Sequence, residues 1–302
     1  MGKYYLNLDH DIDLKKTMDI EIPALEWIPF NDRFQTVWYI NGKPVHITMK
    51  QIAPRKLYFC YNDKYVDDEY IHKRVRNLFP FYLDQVNTGS LKIIQELASY
   101  YRNVAYMKSM DPFRSLILTI LSQNKTGEAT RRAFFNLAKN VEISPLKLSE
   151  IDENYLRNLI REAGPYKAKF IIKISEILKD KFDGNLSNIL LLPTHEALEI
   201  LTSLPGVGHK TAACVLVYAA LKKDILPVDT HLRRVTYRIG LYNTDIPFSK
   251  VKKKVIINHL LSIIPDAGYA HLYFVLLGRE FCHSRKPLCN NCPINNLCKK
   301  RI

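Results

Sequence analysis

The chain has 302 residues, 47% hydrophobic and 25% charged, with 44 Lys+Arg against 30 Asp+Glu and a net charge of +14. That length suits two domains of ordinary size, and the composition excludes a disordered or fibrous chain. No apolar run is long enough to span a bilayer. The opening MGKYYLNLDHDIDL has neither the apolar core of a signal peptide nor a myristoylation motif, so an intracellular protein (cytoplasm, nucleoid or nucleus) without a membrane partner is expected. The basic excess suits a polyanionic partner, nucleic acid being the common one inside cells.

The first ninety residues have strand character. FQTVWYINGKPVHITM (34–49) contains two β-rich runs joined by Asn41-Gly42, a pair that tolerates the positive φ of a type I′ turn. Pro44 predicts a second run that is incompletely paired or at an edge. KLYFCYN (56–62) supplies a third strand, and a basic helix follows over 67–79. From Ser90 the period changes from two to 3.6. Helices are predicted over 91–101, 112–122, 129–139, 154–162, 168–181, 196–202, 210–221, 230–239, 251–264 and 267–281.

LPGVGHKTA (204–212) sits between two of these helices. Gly206, Val207 and Gly208 form a turn whose backbone approaches a phosphate closely, and the free N–H groups opening the next helix offer an anion site. Such a turn reads DNA backbone rather than bases, although a plain glycine-containing helix–helix turn is the alternative. Lys210 stands in the first turn of that helix, where the macrodipole disfavours a cation. As structure this is a poor choice; as a nucleophile it makes sense, because the same field favours the neutral amine. Nineteen residues on, PVDTHLRRV places Asp229 as the N-cap of the helix over 230–239, and it suits stabilisation of an oxocarbenium-like sugar.

Four of the six cysteines, Cys282, Cys289, Cys292 and Cys298, are spaced C-x6-C-x2-C-x5-C. Cys60 and Cys214 stand alone in apolar surroundings and read as packing thiols. One tight knuckle with a single cysteine on either side suits a [4Fe–4S] cluster, one thiolate per iron; a structural zinc site is the alternative. The loop between the first two ligands carries Arg285 and Lys286, which project toward phosphates or serve only as solvated charge.

Hairpin, Lys210, V-D-T-H segment and cysteine spacing together resemble the endonuclease III family of helix–hairpin–helix DNA glycosylases. ILSQNKT (120–126) resembles its segment beside the damaged base, and AGPYKAK (163–169) its G-x-Y-x-x-K stretch, with a proline after the glycine. YYLNLDHDIDLKKTM and HKRVRNLFPFYLDQ resemble the N-terminal domain of AlkA-type and 8-oxoguanine glycosylases. The fold so implied is mostly α, and α+β overall: a two-lobed helical body with a cluster loop over 282–298 and a small N-terminal antiparallel sheet. The domains expected are 1–88, 111–230, and 89–110 with 231–302. The activity implied is base excision from duplex DNA holding a damaged base or abasic site, by a monomer, with Lys210 as nucleophile and Asp229 as its partner. Gln123 and Asn124 lie where the family inserts a polar side chain into DNA, and which of the two enters stays open. Lysine at 210 further implies strand cleavage by β-elimination. Oxidised pyrimidine comes first among substrates and 8-oxoguanine second. The alternatives are a monofunctional glycosylase for alkylated purines or mismatched uracil or thymine, and a non-catalytic binder of damaged DNA.

Overall fold

The computed structural model describes residues 2–19, 22–62, 66–109, 111–242 and 246–301. Its N-terminal part holds β1 (Gly2–Asn7), α1 (Leu14–Met18), α2 (Ile22–Leu25), β2 (Ile28–Phe30), β3 (Arg33–Ile40), β4 (Lys43–Ala53), β5 (Lys56–Tyr61) and α3 (Asp68–Arg76). The short pair β6 (Phe81–Tyr82) and β7 (Ala105–Tyr106) flanks α4 (Lys92–Tyr100). The helical body then runs α5 (Pro112–Ser122), α6 (Gly127–Asn140), α7 (Pro145–Ser149), α8 (Glu153–Leu159), α9 (Lys167–Phe182), α10 (Leu186–Leu191) and α11 (Thr194–Ser203). It closes with α12 (His209–Ala220), α13 (Thr230–Ile239), α14 (Lys253–Ile263) and α15 (Ala267–Glu280).

The five-stranded sheet is antiparallel with order β1-β5-β4-β3-β2. Alternation sets its buried face: Val45, Ile47 and Met49 of β4 point inward, as do Leu57 and Phe59 of β5, and α3 covers them with Ile71 and Val75. The expectation from Pro44 holds in its first form: β4 is a long interior strand, but it is incompletely paired where the proline stands. The proline is tolerated because pairing with β5 begins only at Ile47, so β3 alone flanks it.

Helix starts follow their caps. Asp111 accepts from the Arg114 N–H at 3.0 Å ahead of Pro112, and Thr126 accepts from the Ala129 N–H at 3.2 Å. Helices on both sides of residue 230 contribute to one continuous apolar cluster, which takes in Val37 of the sheet and reaches to Ile294. The sheet is fastened to this body by buried charge. Arg114 of α5 donates to Glu26 (Nη2–Oε1 2.6 Å) and to the Val37 carbonyl, while Glu26 also accepts from the Trp38 indole at 3.1 Å. Arg131 of α6 donates to the carbonyls of Met18, Ala24 and Trp27. Among the described residues no single helix is long and apolar enough to cross a membrane.

Candidate active site

The turn between α11 and α12 divides its three residues among different tasks. Gly206 has φ +72, where a Cβ would also stand 3.0 Å from the Phe170 ring, so only glycine fits without strain. Val207 is buried, and its N–H donates to the Leu204 carbonyl at 3.1 Å, so this residue packs and closes the turn. Gly208 is the N-cap of α12, contributes no side-chain cap, and would offer an added Cβ nothing within 4 Å. The first N–H groups of α12 have no acceptor within their own helix, as at any helix start, which suits them to an anion.

A cleft of about 1540 Å³ lies beside this turn, and Lys210, Asp229, Gln123 and Asn124 all line it. Its far wall comes from the segment around α1 and from Arg279 and Glu280 at the end of α15. Asp229 caps α13 as expected, with Oδ1 accepting from the Leu232 N–H at 2.7 Å, and the cap uses one of its two oxygens. Behind Lys210 and Asp229 sits buried His271. Its ring joins the Tyr218 hydroxyl (2.8 Å) to the Gly268 carbonyl (2.5 Å). Burial pushes His271 down to about 4, while Asp229 pulls it up and Lys210 pushes it further down. Both groups therefore lie within electrostatic reach of one buried ring.

Gln123 and Asn124 separate in role. The Gln123 amide donates to the Gly206 carbonyl (3.0 Å) and the Thr211 hydroxyl (3.1 Å), which ties the end of α5 to the hairpin. Asn124 is exposed, takes a left-handed φ of 56°, and faces the cleft.

Arg285 and Lys286 are exposed on the cysteine loop and do not line the cleft. Arg238 braces that loop, donating to the carbonyls of His283 (2.6 Å) and Ser284 (3.0 Å), while Arg234 donates to the Cys282 carbonyl (2.9 Å). The four half-buried thiols lie within electrostatic reach of one another: burial pushes Cys292 and Cys298 up, and the neighbouring cysteine thiols push in the same direction. Among the described residues, no three His, Cys, Asp or Glu side chains close on a point as a single-ion site would.

The family described as HhH-GPD superfamily base excision DNA repair protein matches residues 117–258, which hold the hairpin, Lys210 and Asp229. Endonuclease III of Thermotoga maritima is 37% identical over 196 residues, covering 64% of this chain and 84% of that protein. The chain belongs to the HhH-GPD superfamily. Two solved structures extend the likeness of this HhH-GPD chain. A trapped endonuclease III–DNA covalent intermediate aligns with TM-score 0.57 at 27% identity, over 69% of this chain and 93% of that one. MBOgg1 in complex with a low affinity DNA ligand aligns with TM-score 0.72 at 19% identity, over 93% and 96%. The second likeness concerns fold alone, but it takes in nearly the whole chain.

One residue of the site was missed in the sequence. Of the two lysines in AGPYKAK, Lys169 occupies the patterned position and is exposed, whereas Lys167 is wholly buried. Its ammonium donates to the carbonyls of Leu121 (2.8 Å) and Gln123 (2.7 Å), and burial with nearby Lys125 pushes it down to about 8. The only available signal was its place beside the Gly-Pro pair.

Proposed function

We propose that this HhH-GPD protein is a bifunctional DNA glycosylase and abasic-site lyase for oxidised bases, oxidised pyrimidines first and 8-oxoguanine second. The observation that carries the reading is the shared cleft of Lys210, Asp229 and Asn124 beside an uncapped helix start. The α12 amides and Gly208 hold a DNA phosphate, and the flipped nucleotide enters the cleft. Asn124 fills the gap in the duplex, since the Gln123 amide is engaged with the hairpin. The neutral Lys210 amine attacks C1′ as the bond to the base breaks, and the ammonium so formed gives up the proton that the leaving base takes. Asp229 stabilises the positive charge that develops on the sugar. Opening of the sugar ring leaves a Schiff base on Lys210. Loss of a C2′ proton then expels the 3′ phosphate and cuts the strand. One chain carries every one of these groups, which supports a monomer as the active unit.

Cys282, Cys289, Cys292 and Cys298 are assigned to a [4Fe–4S] cluster. The C-x6-C-x2-C-x5-C spacing, one tight knuckle with a single cysteine on either side, supports this over a structural zinc site. When bound, the cluster would supply a rigid cross-link for the loop that presents Arg285 and Lys286 to the DNA backbone. A panel of single-lesion duplexes, scored for base release and nicking alongside metal analysis of the anaerobically purified protein, tests both assignments. Release and nicking at thymine glycol with about four irons per chain is expected. Binding without release, or zinc without iron, would contradict them.

A further inference from the structure

Lys167 is the first residue of α9, yet its charge serves another helix. The N-terminal end of its own helix disfavours a cation, and complete burial removes the water that would solvate one. The ammonium lies instead at the C-terminal end of α5, where carbonyls lack partners inside the helix and a cation is favoured. It takes two of them, Leu121 (2.8 Å) and Gln123 (2.7 Å). A glycine cap would close a helix end at less cost. At this position the chain turns directly from Gln123 into the left-handed Asn124. The Gln123 amide pins the same turn from the opposite side, through the Gly206 carbonyl and the Thr211 hydroxyl. The turn is thus held by a buried cation on its carbonyls and by the hairpin through the Gln123 amide.

We propose that Lys167 is a positioning residue, fixing the turn so that Asn124 meets the duplex at the lesion. This rests on the glycosylase reading and on Asn124 as the residue that enters DNA. It explains the buried lysine of the AGPYKAK stretch, to which no step of the chemistry assigns a task.

The test compares two substrates. One is a lesion paired in duplex DNA; the other is a single-stranded abasic oligonucleotide, which has no opposite strand for Asn124 to enter. Lys167→Met keeps the length of the side chain and removes its donors. It is expected to slow excision from the duplex by about tenfold to a hundredfold, the scale of a small misplacement at a reacting site. Borohydride trapping on the single strand should stay within about threefold of wild type, and Lys167→Arg should restore part of the duplex rate. Asn124→Ala combined with Lys167→Met should slow the duplex reaction no more than the more damaging single change, because both act through one turn. Additive losses, equal losses on both substrates, or wild-type duplex excision by Lys167→Met would overturn the proposal. Should melting show that Lys167→Met does not fold, Lys167→Gln carries the same two assays. A wild-type protein that neither excises nor traps would overturn the glycosylase reading itself, and is told apart from the other failures by the absence of activity before any substitution.

Discussion

Asp229 combines two tasks in one side chain, and they can be separated. Its Oδ1 caps α13 at 2.7 Å, and asparagine caps about as well as aspartate. Asp229→Asn should therefore melt within a few degrees of wild type while losing excision by ~10²-fold or more, the size typical for a group that stabilises transition-state charge. Melting curves beside single-turnover excision rates check this. Full excision by Asp229→Asn would reduce the residue to a cap. Lys210 and Asp229, which the structure brings into one cleft, were both singled out in the sequence for the same reason: each stands at a helix start, where the dipole opposes a cation and favours an anion. Lys167 also stands at a helix start, but the carbonyls that explain it are more than forty residues away. No local pattern carries that information.

The hairpin makes a contrast between two glycines that the sequence treats alike. Gly206 needs its positive φ and lies against Phe170, whereas Gly208 has φ −92 and open space at its Cβ position. Gly206→Ala should lower the melting temperature. Gly208→Ala should cost only about 1 kcal/mol of stability, the scale of losing an N-cap, because its φ and surroundings accept a Cβ. Its effect should fall on DNA binding, weakening affinity for all sequences alike because the amides read phosphate only. Titrations with unrelated duplexes, run beside melting curves, check both halves; a Gly208→Ala protein with unaltered affinity would remove the phosphate from this turn.

Among the elements, long periodic helices were read closely. The predicted 112–122 and 230–239 coincide with α5 and α13, where Asp111 and Asp229 mark the starts. Four short helices, α1, α2, α7 and α10, were not anticipated, since four to six residues span too little of the 3.6 period to show it. β1 was missed because it is an edge strand of charged, glycine and tyrosine residues, and its pairing with β5 spans more than fifty residues.

Across the whole molecule, the sheet and the helical body are joined by ionic contacts that hydrophobic patterning does not reveal. Arg114 and Glu26 are both nearly inaccessible, 5% and 9% exposed, and meet at 2.6 Å. Removing one partner strands a buried charge, so Glu26→Ala should cost about 3–5 kcal/mol in denaturant unfolding, well beyond an ordinary surface change. A loss under about 1 kcal/mol would show that this ion pair does not hold the two parts together. This coupling also fixes one wall of the cleft, because Arg131 of α6 holds the α1–α2 segment that lines it.

Lys210 as the nucleophile requires a covalent bond to the sugar at the site of excision, which borohydride trapping on a duplex with one oxidised pyrimidine would capture. The account predicts a stable protein–DNA adduct and a nicked strand with the wild-type protein. Lys210→Gln should still bind the duplex through the hairpin amides but give neither adduct nor nick, since a Schiff base requires a primary amine. A Lys210→Gln protein that traps as well as wild type would place the nucleophile elsewhere and contradict the account.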